Sequence, residues 1–504
     1  MVQGTGSSVG KSVICTALCR VFARDGYRVY PFKSQNMALN SYVTCEGGEM
    51  GRAQVAQAEA CGVEPHVNMN PILLKPNSDT CSQVIVSGRV LGNFTAGEYY
   101  ELKPRLRRVV RRAYSEVLSA ADIVVIEGAG SPAEINLNDG DFVNMGMARI
   151  ARAPVILVGD IDRGGVFASL VGTMALLSPR DRERVRGVII NKFRGDIHIL
   201  EPGLRKLERL MRVPVLGVLP YTDVLVDDED SATEAFLRRG AARDVRVGVV
   251  FLPHMSNFTD FTPLQREPDV SLEYIGSPSS FGRPDLVVIP GSKNTMGDLS
   301  YLREAGLDRS ILRYHGEGGV VFGICGGFQM LGRRIADPFG VEGPVEAAEG
   351  LGLLPVETVM RRGKRTTRTV ARILPNKSPL MSNCTGLEVT GYEIHMGQTS
   401  YPSDAGHLCR VVRGASPSEE GFDGWVSEDG RVIGTYLHGI FENDRFVRVM
   451  LDSLRALKGL EPLRVSAGDY AAYKSRIYDD LAERFRRHVD VERIYGIIFG
   501  SHGT

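Results

Sequence analysis

The chain has 504 residues, with 60 basic and 60 acidic side chains and therefore a formal net charge of zero. One domain averages roughly 150 residues, so this length predicts two or three domains. The balanced charge argues against an extended nucleic-acid-binding face and against a polybasic membrane anchor. Because 43% of the residues are hydrophobic, the chain can form buried cores, which excludes wholesale disorder.

The cellular location can also be predicted from composition. No apolar run approaches the ~18 residues of a membrane span, and the N-terminus does not have the pattern of a secretion signal. Eight cysteines in a chain of this length favour reduced thiols over a disulfide framework. We therefore expect a cytoplasmic, multidomain α/β protein that binds neither nucleic acid nor a membrane.

The first half of the chain alternates short apolar runs with helix-length amphipathic segments. The runs predict strands at residues 29–32, 123–127, 154–159, 185–191 and 214–219. The clearest helix covers residues 102–118, and its five arginines between positions 105 and 112 are predicted to form a solvated face. Strands that are buried on both faces and separated by helices predict a doubly wound parallel sheet.

The pattern changes in the charged stretch between residues 223 and 243, where we place a domain boundary. A second α/β series follows, with strands at 245–252, 286–290 and 320–323, and helical segments come after residue 441. The predicted organisation is an N-terminal domain over 1–225, a linker over 226–244, a second domain over 245–445 and a helical extension over 446–504.

A glycine-rich loop, GTGSSVGKS, runs from Gly4 to Ser12 and leads into a helix. Such a loop directs backbone N–H groups at phosphates, and the helix N-terminus adds positive potential. Lys11 can reach the β- and γ-phosphates of a nucleotide, and the Ser12 hydroxyl can ligate Mg²⁺. The backbone of the predicted ATP site is formed by Thr5, Gly6 and Gly10.

Only Met1, Val2 and Gln3 precede this loop, whereas a phosphate loop usually follows a full strand. We expect the natural chain to begin some residues upstream. The alternative is that a very short strand is sufficient at this position.

The type of nucleotide and the metal ligands can be narrowed further. The loop lacks the early lysine of partitioning ATPases, and the segment after Asn191 has Arg194 where GTP-binding proteins have aspartate. ATP, contacted through Asn191, is therefore favoured. Glu127 ends an apolar run, where a second acidic Mg²⁺ ligand is expected, although a plain strand-end carboxylate is the alternative.

The second half contains an apolar run, a cysteine between small residues and a helical segment, in the order GICGGFQML. This pattern is typical of a sharp turn that exposes a nucleophile, here Cys325. The backbone N–H groups of Gly326 and Gly291 are candidate oxyanion donors. The base must be a distant histidine, and His438 is the best placed, with His395 as a rival.

Several segments together resemble the cobyric acid synthase family. They are the phosphate loop, FKSQNM at 32–37, EMGRAQ at 49–54, MNPILLKP at 69–76, NKFRGD at 191–196, the cysteine turn, YEIHMG at 392–397 and the segment around His438. The resemblance implies an N-terminal domain similar to dethiobiotin synthetase and a C-terminal domain similar to class I glutamine amidotransferases.

For activity, the resemblance implies amidation of the b, d, e and g carboxylates of adenosylcobyrinic acid a,c-diamide to give adenosylcobyric acid. Glutamine supplies ammonia, and MgATP activates each carboxylate as an acyl phosphate. By its resemblance to the dethiobiotin synthetase lysine, Lys33 is expected to neutralise the substrate carboxylate or the transferred phosphoryl group.

One departure concerns the histidine, because class I amidotransferases carry a glutamate two residues after it and this chain has Ile440. We therefore expect a Cys–His dyad, and whether Glu442 or another group orients His438 stays open. The alternative functions are a cobyrinic acid a,c-diamide synthase, a nucleotide switch or partitioning ATPase, and a non-catalytic protein that binds a corrinoid or a nucleotide.

Overall fold

The structure, a computed structural model, describes residues 1–77, 80–137, 139–222, 243–343, 345–403, 405–413, 421–463 and 466–500. The acidic run at residues 227–230, and with it nearly all of the predicted linker, lies outside these described residues. On either side of it the chain forms two α/β units.

The N-terminal unit is built around six parallel strands, two of which join the other four through a bridge between Val2 and Glu127. In spatial order the strands are Val29–Phe32, Ile123–Ile126, Val2–Gly4, Val155–Asp160, Val185–Phe193 and Val215–Pro220. Alternate residues of the fourth strand enter hydrophobic cores on opposite faces of the sheet. This arrangement confirms the predicted doubly wound parallel sheet.

The strand before the phosphate loop has only three residues, yet it is paired on both sides. Val2, Gln3 and Gly4 pair with the strand that begins at Val155, and Val2 also bridges to Glu127. This pairing places the start of the loop at the centre of the sheet.

Within the described part of residues 1–222, seven helices accompany this sheet, and one of them carries the arginine-rich face. They are Lys11–Arg24, Arg52–Cys61, Ala96–Ala120, Met145–Ala151, Val166–Leu176, Pro179–Arg182 and Ile197–Met211. The five arginines between positions 105 and 112 are exposed, as predicted.

Two additions to the N-terminal unit were not predicted from the sequence. One is a small mixed sheet of Gln35–Met37, Ile72–Pro76, Cys81–Val86 and Arg89–Thr95. The other, which we call the docking hairpin, pairs Ser41–Val43 with Glu49–Gly51 and continues directly into the helix Arg52–Cys61. Both additions contact the second unit.

The second unit has a central sheet of six strands, of which the first five are parallel. In spatial order they are Val270–Ile275, Val245–Val250, Leu286–Ile289, Val320–Ile324, Val432–Thr435 and Trp425–Val426. The accompanying helices are Thr262–Arg266, Thr295–Glu304, Leu307–Gly316, Gly326–Leu331 and Asp444–Leu457, with a 3₁₀ turn at Phe258–Phe261.

A second sheet in this unit, largely antiparallel, was not predicted. Its main strands are Glu357–Ile373 and Glu388–Ser400, and the shorter ones are Arg334–Ala336, Ala347–Glu349, Cys409–Arg413 and Phe422–Asp423. A bridge between Tyr392 and His438 joins it to the end of the central sheet.

The last helices return to the N-terminal unit. Helix Tyr470–His488 packs on the helix that follows the phosphate loop, so that Leu481 and Phe485 share a core with Ile14 and Phe22. Val489 bridges to Gly217 at the edge of the parallel sheet, and helix Val491–Phe499 follows. The C-terminal segment is therefore part of the N-terminal core.

Two further findings concern the environment of the chain. All eight cysteines are free thiols. Among the described residues, no helix has both the length and the apolar character needed to cross a membrane.

We predict that Phe485→Ala destabilises the N-terminal unit by about 3–5 kcal/mol, because it leaves a cavity beside the helix that follows the phosphate loop. Denaturant unfolding should show a transition midpoint at a lower denaturant concentration. Nucleotide binding, compared at the same denaturant concentration, should be weaker. Leu457→Ala, at a half-exposed position, is the control and should leave the transition nearly unchanged. An unchanged transition in Phe485→Ala would contradict the assignment of this helix to the N-terminal core.

Candidate active site

The phosphate loop has the shape of an anion cradle. Gly10 has a φ of 94°, and a Cβ at this residue would lie 2.1 Å from the side-chain nitrogen of Asn191, so only glycine fits here. Lys11 folds over the loop and donates to the carbonyl of Gly6 at 2.7 Å and to that of Gly130 at 3.2 Å. Its ammonium group is thus held where phosphate oxygens would bind.

Beside the loop, three of the predicted site residues meet: Ser12, Lys33 and Glu127. The Ser12 hydroxyl donates to Glu127 Oε1 at 3.0 Å, and Lys33 Nζ lies 2.8 Å from the same oxygen. The other carboxylate oxygen accepts from Gln57 Nε2 at 2.5 Å, a contact that the sequence did not indicate. Burial alone would raise the pKa of this carboxyl, but Lys33, Gln57 and Lys11 hold it below its usual value.

This cluster is suited to a magnesium ion. A hydroxyl and an ionised carboxylate, hydrogen-bonded to each other, are the hard oxygen ligands that Mg²⁺ takes when phosphates complete its shell. No group of three or more His, Cys, Asp or Glu side chains able to hold a metal occurs within the described part of the chain. The donor set therefore suits an ion bound together with a nucleotide better than a site built from protein alone.

Other predicted nucleotide contacts lie around the loop. The Thr5 backbone N–H donates to the carbonyl of Val158 at 2.9 Å, which anchors the loop to the sheet. Asn191 Nδ2 donates to the carbonyl of Val9 at 2.9 Å, and Lys192 Nζ donates to that of Ser8 at 2.7 Å. Asn191 thus braces the phosphate loop.

In the second unit, Cys325 sits on a strained turn between a buried strand and the helix Gly326–Leu331. Its φ is 50° and its ψ is −106°, a backbone conformation that residues other than glycine rarely adopt. The turn is tight because a Cβ on Gly327 would lie 2.0 Å from the carbonyl oxygen of Ile289. The glycines around Cys325 allow this geometry, which aims the sulfur into the cleft.

His438 is the histidine that faces the sulfur. It lies just beyond the strand Val432–Thr435, which neighbours the cysteine strand, and it lines the same cleft as Cys325. Its Nδ1 lies 2.7 Å from Oδ2 of Asp260, and both residues are about 98–99% buried. Oδ1 of Asp260 also accepts from the backbone N–H of Gly439 at 2.9 Å.

The expected Cys–His dyad is therefore incomplete, because Asp260 orients the imidazole. Burial alone would lower the pKa of His438, but Asp260 and Cys325 raise it to about 10. This partner could not be recognised from local sequence patterns, because Asp260 lies 178 residues before His438. In the structure it lies between Thr259 and Phe261, and all three residues are buried in a 3₁₀ turn.

His395, the rival base, and Glu442, the residue considered for orienting His438, both have other hydrogen-bond partners. His395 lines the cleft, but its Nδ1 lies 2.7 Å from the Gly397 carbonyl and its Nε2 lies 3.1 Å from the Glu393 carboxylate. Glu442 accepts from Arg52 at 2.8 Å, across the boundary between the two units. Neither residue acts on the Cys325–His438 pair in this structure.

Of the two glycines predicted to supply oxyanion N–H groups, Gly291 lies beside His438 and Gly326 directly follows Cys325. A Cβ on Gly291 would lie 2.8 Å from Cε1 of His438, and one on Gly326 would lie 2.8 Å from the backbone nitrogen of Ser292. Gly291 therefore lies against His438, and Gly326 lies against the residue that follows Gly291, in a space where only glycine fits. That arrangement is compatible with a pair of N–H donors to a carbonyl oxygen.

The cleft around Cys325 is lined by both units of the protein. Lys75 and Gln83 from the N-terminal unit line it together with His438 and Lys364. Lys75 Nζ lies 2.9 Å from Oε1 of Glu49, and Lys364 pairs with the other oxygen of that carboxylate. Burial lowers the pKa of Lys364 to about 7, although Glu49 opposes this shift. A buried ion cluster thus forms one wall of the cleft.

Comparison with known families divides the chain at the same place as the fold. Residues 1–233 match the model of the CobQ/CobB/MinD/ParA nucleotide binding domain, and residues 246–446 match that of the CobB/CobQ-like glutamine amidotransferase domain. The first match contains the phosphate loop and Glu127. The second contains Cys325, His438 and Asp260.

Curated relatives match over nearly the whole length. Cobyric acid synthase from Caldanaerobacter subterraneus subsp. tengcongensis is 52% identical over 99% of this chain and 98% of its own length. The cobyric acid synthases of Thermoanaerobacter sp. and Alkaliphilus metalliredigens are 51% and 52% identical, over 99% of this chain and 98% and 100% of their own lengths. The chain belongs to the cobyric acid synthase family.

Proposed function

We propose that the protein amidates the b, d, e and g carboxylates of adenosylcobyrinic acid a,c-diamide, with glutamine as the nitrogen donor and ATP as the energy source. The observation that carries this proposal is the buried Cys325–His438–Asp260 triad, which shares one chain with a phosphate loop and its Lys33–Glu127 pair. Neither a nucleotide switch nor a binding protein requires such a triad. The free thiols favour work in the reducing cytoplasm.

Ammonia comes from the cysteine site. The Cys325 thiolate attacks the side-chain amide carbon of glutamine, while the N–H groups of Gly291 and Gly326 stabilise the developing oxyanion. His438 gives its proton to the departing nitrogen, which leaves as ammonia, and Asp260 holds the imidazole in position. Water then hydrolyses the thioester to glutamate and restores the thiolate.

The carboxylate is activated at the phosphate loop. The γ-phosphoryl group passes from ATP to a carboxylate oxygen of the corrinoid, and Lys11 and Lys33 offset the charge that develops. Mg²⁺, held by Ser12 and Glu127, would supply further positive charge when bound. Ammonia attacks the acyl carbon of the resulting acyl phosphate, and phosphate leaves as the amide forms.

The test is the mass of the corrinoid product after incubation with the a,c-diamide, glutamine and MgATP. The proposal predicts four carboxylate-to-amide conversions. In a separate incubation, the substrate is the corrinoid with all its carboxylates free. A gain of only two amides there would favour the a,c-diamide synthase. ATP hydrolysis without any corrinoid mass change would overturn the proposal.

The two half-reactions should separate by substitution. Cys325→Ala should lose glutamine-dependent amidation but keep amidation with free ammonia, because only the thiolate is removed. Glu127→Gln should keep glutamine hydrolysis while amidation from either nitrogen source falls by about 100-fold.

Matched controls are available for both changes. Cys384→Ala removes another buried thiol of the same unit, and Glu116→Gln removes an exposed carboxylate that pairs with Arg112. Both controls should behave like the unaltered protein. Loss of ammonia-dependent amidation in Cys325→Ala would contradict the division into two sites.

Asp260→Asn should lower the glutaminase kcat by about 10²- to 10⁴-fold, because the imidazole loses the carboxylate that fixes its orientation. The raised pKa of His438 also predicts a shift in pH dependence. Without the Asp260 charge the imidazolium loses its proton at lower pH, so the alkaline limb of the glutaminase profile should move to lower pH.

The control for this variant is Asp429→Asn, which breaks another Asp–His pair, with His315 at 2.9 Å on the surface of the same unit. Its kcat and pH profile should stay unchanged. An unchanged alkaline limb in Asp260→Asn would show that Asp260 does not set the ionisation of His438.

A further inference from the structure

The two units are joined by a pair of buried asparagines close to the triad. The side-chain oxygen of Asn40 accepts from the backbone N–H of Phe258 at 3.0 Å. In return, the side-chain oxygen of Asn257 accepts from the backbone N–H of Ser41 at 3.0 Å. Both asparagines are 2% exposed. We call this reciprocal contact the asparagine clasp.

On its second-unit side, the clasp fixes the segment that carries Asp260. Asn257 has a φ of 54°, a left-handed conformation that asparagine tolerates better than most residues, and it immediately precedes the 3₁₀ turn Phe258–Phe261. The backbone N–H of Asp260 donates to the carbonyl of Asn257 at 3.0 Å. The N–H of Phe258, at the start of the turn, has its acceptor in the other unit.

In the N-terminal unit, the clasp residue Asn40 immediately precedes the first strand of the docking hairpin. The carbonyl of Asn40 accepts from the N–H of Arg52, whose side chain pairs with Glu442 across the boundary. The same helix carries Gln57, which donates to Glu127 at the magnesium and phosphate site. One continuous segment, residues 40–57, therefore reaches from the synthetase site to the support of His438.

We propose that the asparagine clasp is a positioning contact by which the N-terminal unit holds Asp260, and through it His438, in the geometry that glutamine hydrolysis needs. The glutaminase centre is then a composite of both units. This inference rests on the glutaminase role proposed above for Cys325 and His438. It assigns no chemical step to the asparagines, which act only through Asp260.

The experiment uses the full chain with Asn40→Ala and with Asn257→Gly. Glycine accepts the left-handed backbone at 257, so this change removes the amide without adding strain. A misplacement of about 1 Å costs about 100-fold, so we expect glutaminase kcat to fall by about 10- to 100-fold. The KM for glutamine should change little, and the alkaline limb of the pH profile should move to lower pH, as for Asp260→Asn.

A control variant tests whether any damage to the interface has the same effect. Arg368→Met breaks a different contact between the units, in which Arg368 donates to the carbonyl of Val43 at 3.1 Å and pairs with Glu64 at 2.8 Å. It leaves the clasp intact and should keep kcat within about twofold. An equal loss in this control would overturn the clasp proposal, since general loosening would then explain the result.

Two further measurements separate positioning from misfolding. Amidation with free ammonia should stay near the level of the unaltered protein in both clasp variants, because the synthetase site is untouched. In the Asp260→Asn background, either clasp substitution should have little additional effect on glutaminase kcat. Full additivity, or an unchanged kcat and pH profile in the single variants, would overturn the proposal.

The clasp and the overall function can fail independently. Glutaminase is measured without corrinoid, so the clasp variants give an answer even if the corrinoid is not amidated. Conversely, four amidations by the unaltered protein together with wild-type glutaminase in the clasp variants would uphold the function and reject the clasp.

Discussion

The hydrogen bond between Asp260 and His438 is the contact on which the proposed glutaminase centre depends. A buried imidazolium without a partner would lose its proton, because burial disfavours the charged form. With the carboxylate 2.7 Å away, the charged form of the imidazole beside Cys325 is stabilised. In the proposed glutaminase centre, an aspartate from a different part of the chain takes the place of the glutamate that class I amidotransferases carry two residues after the histidine.

The turn that carries Asp260 also connects the two units. Asp260 lies on a short turn whose first N–H is bound by the N-terminal unit, and the docking hairpin continues into the helix that contacts Glu127. The C-terminal helix Tyr470–His488 packs back onto the N-terminal core, so the chain crosses between the units twice. Chemistry that passes ammonia from one site to the other benefits from such a connection, since the sites keep a fixed relation.

Much of this was predictable from sequence, and the reasons are local. Most parallel strands were found because they are continuous apolar runs, whereas the parallel strand Val270–Ile275 was not predicted. Cys325 and Lys11 were singled out because glycine spacing marks tight turns. The long antiparallel pair Glu357–Ile373 and Glu388–Ser400 was missed, because its polar, alternating residues lack such runs. Asp260, Gln57 and the asparagine clasp were missed because each acts through a partner that is distant in sequence, and only the tertiary fold reveals that partner.

The most direct test of the central claim follows a heavy-nitrogen label from the side-chain amide of glutamine into the corrinoid, in the presence of unlabelled ammonium and MgATP. The account predicts that the new amides of the product carry the label, because ammonia released at Cys325 reaches the acyl phosphate within the same protein molecule. A product whose amides carry the unlabelled nitrogen of the medium would contradict it.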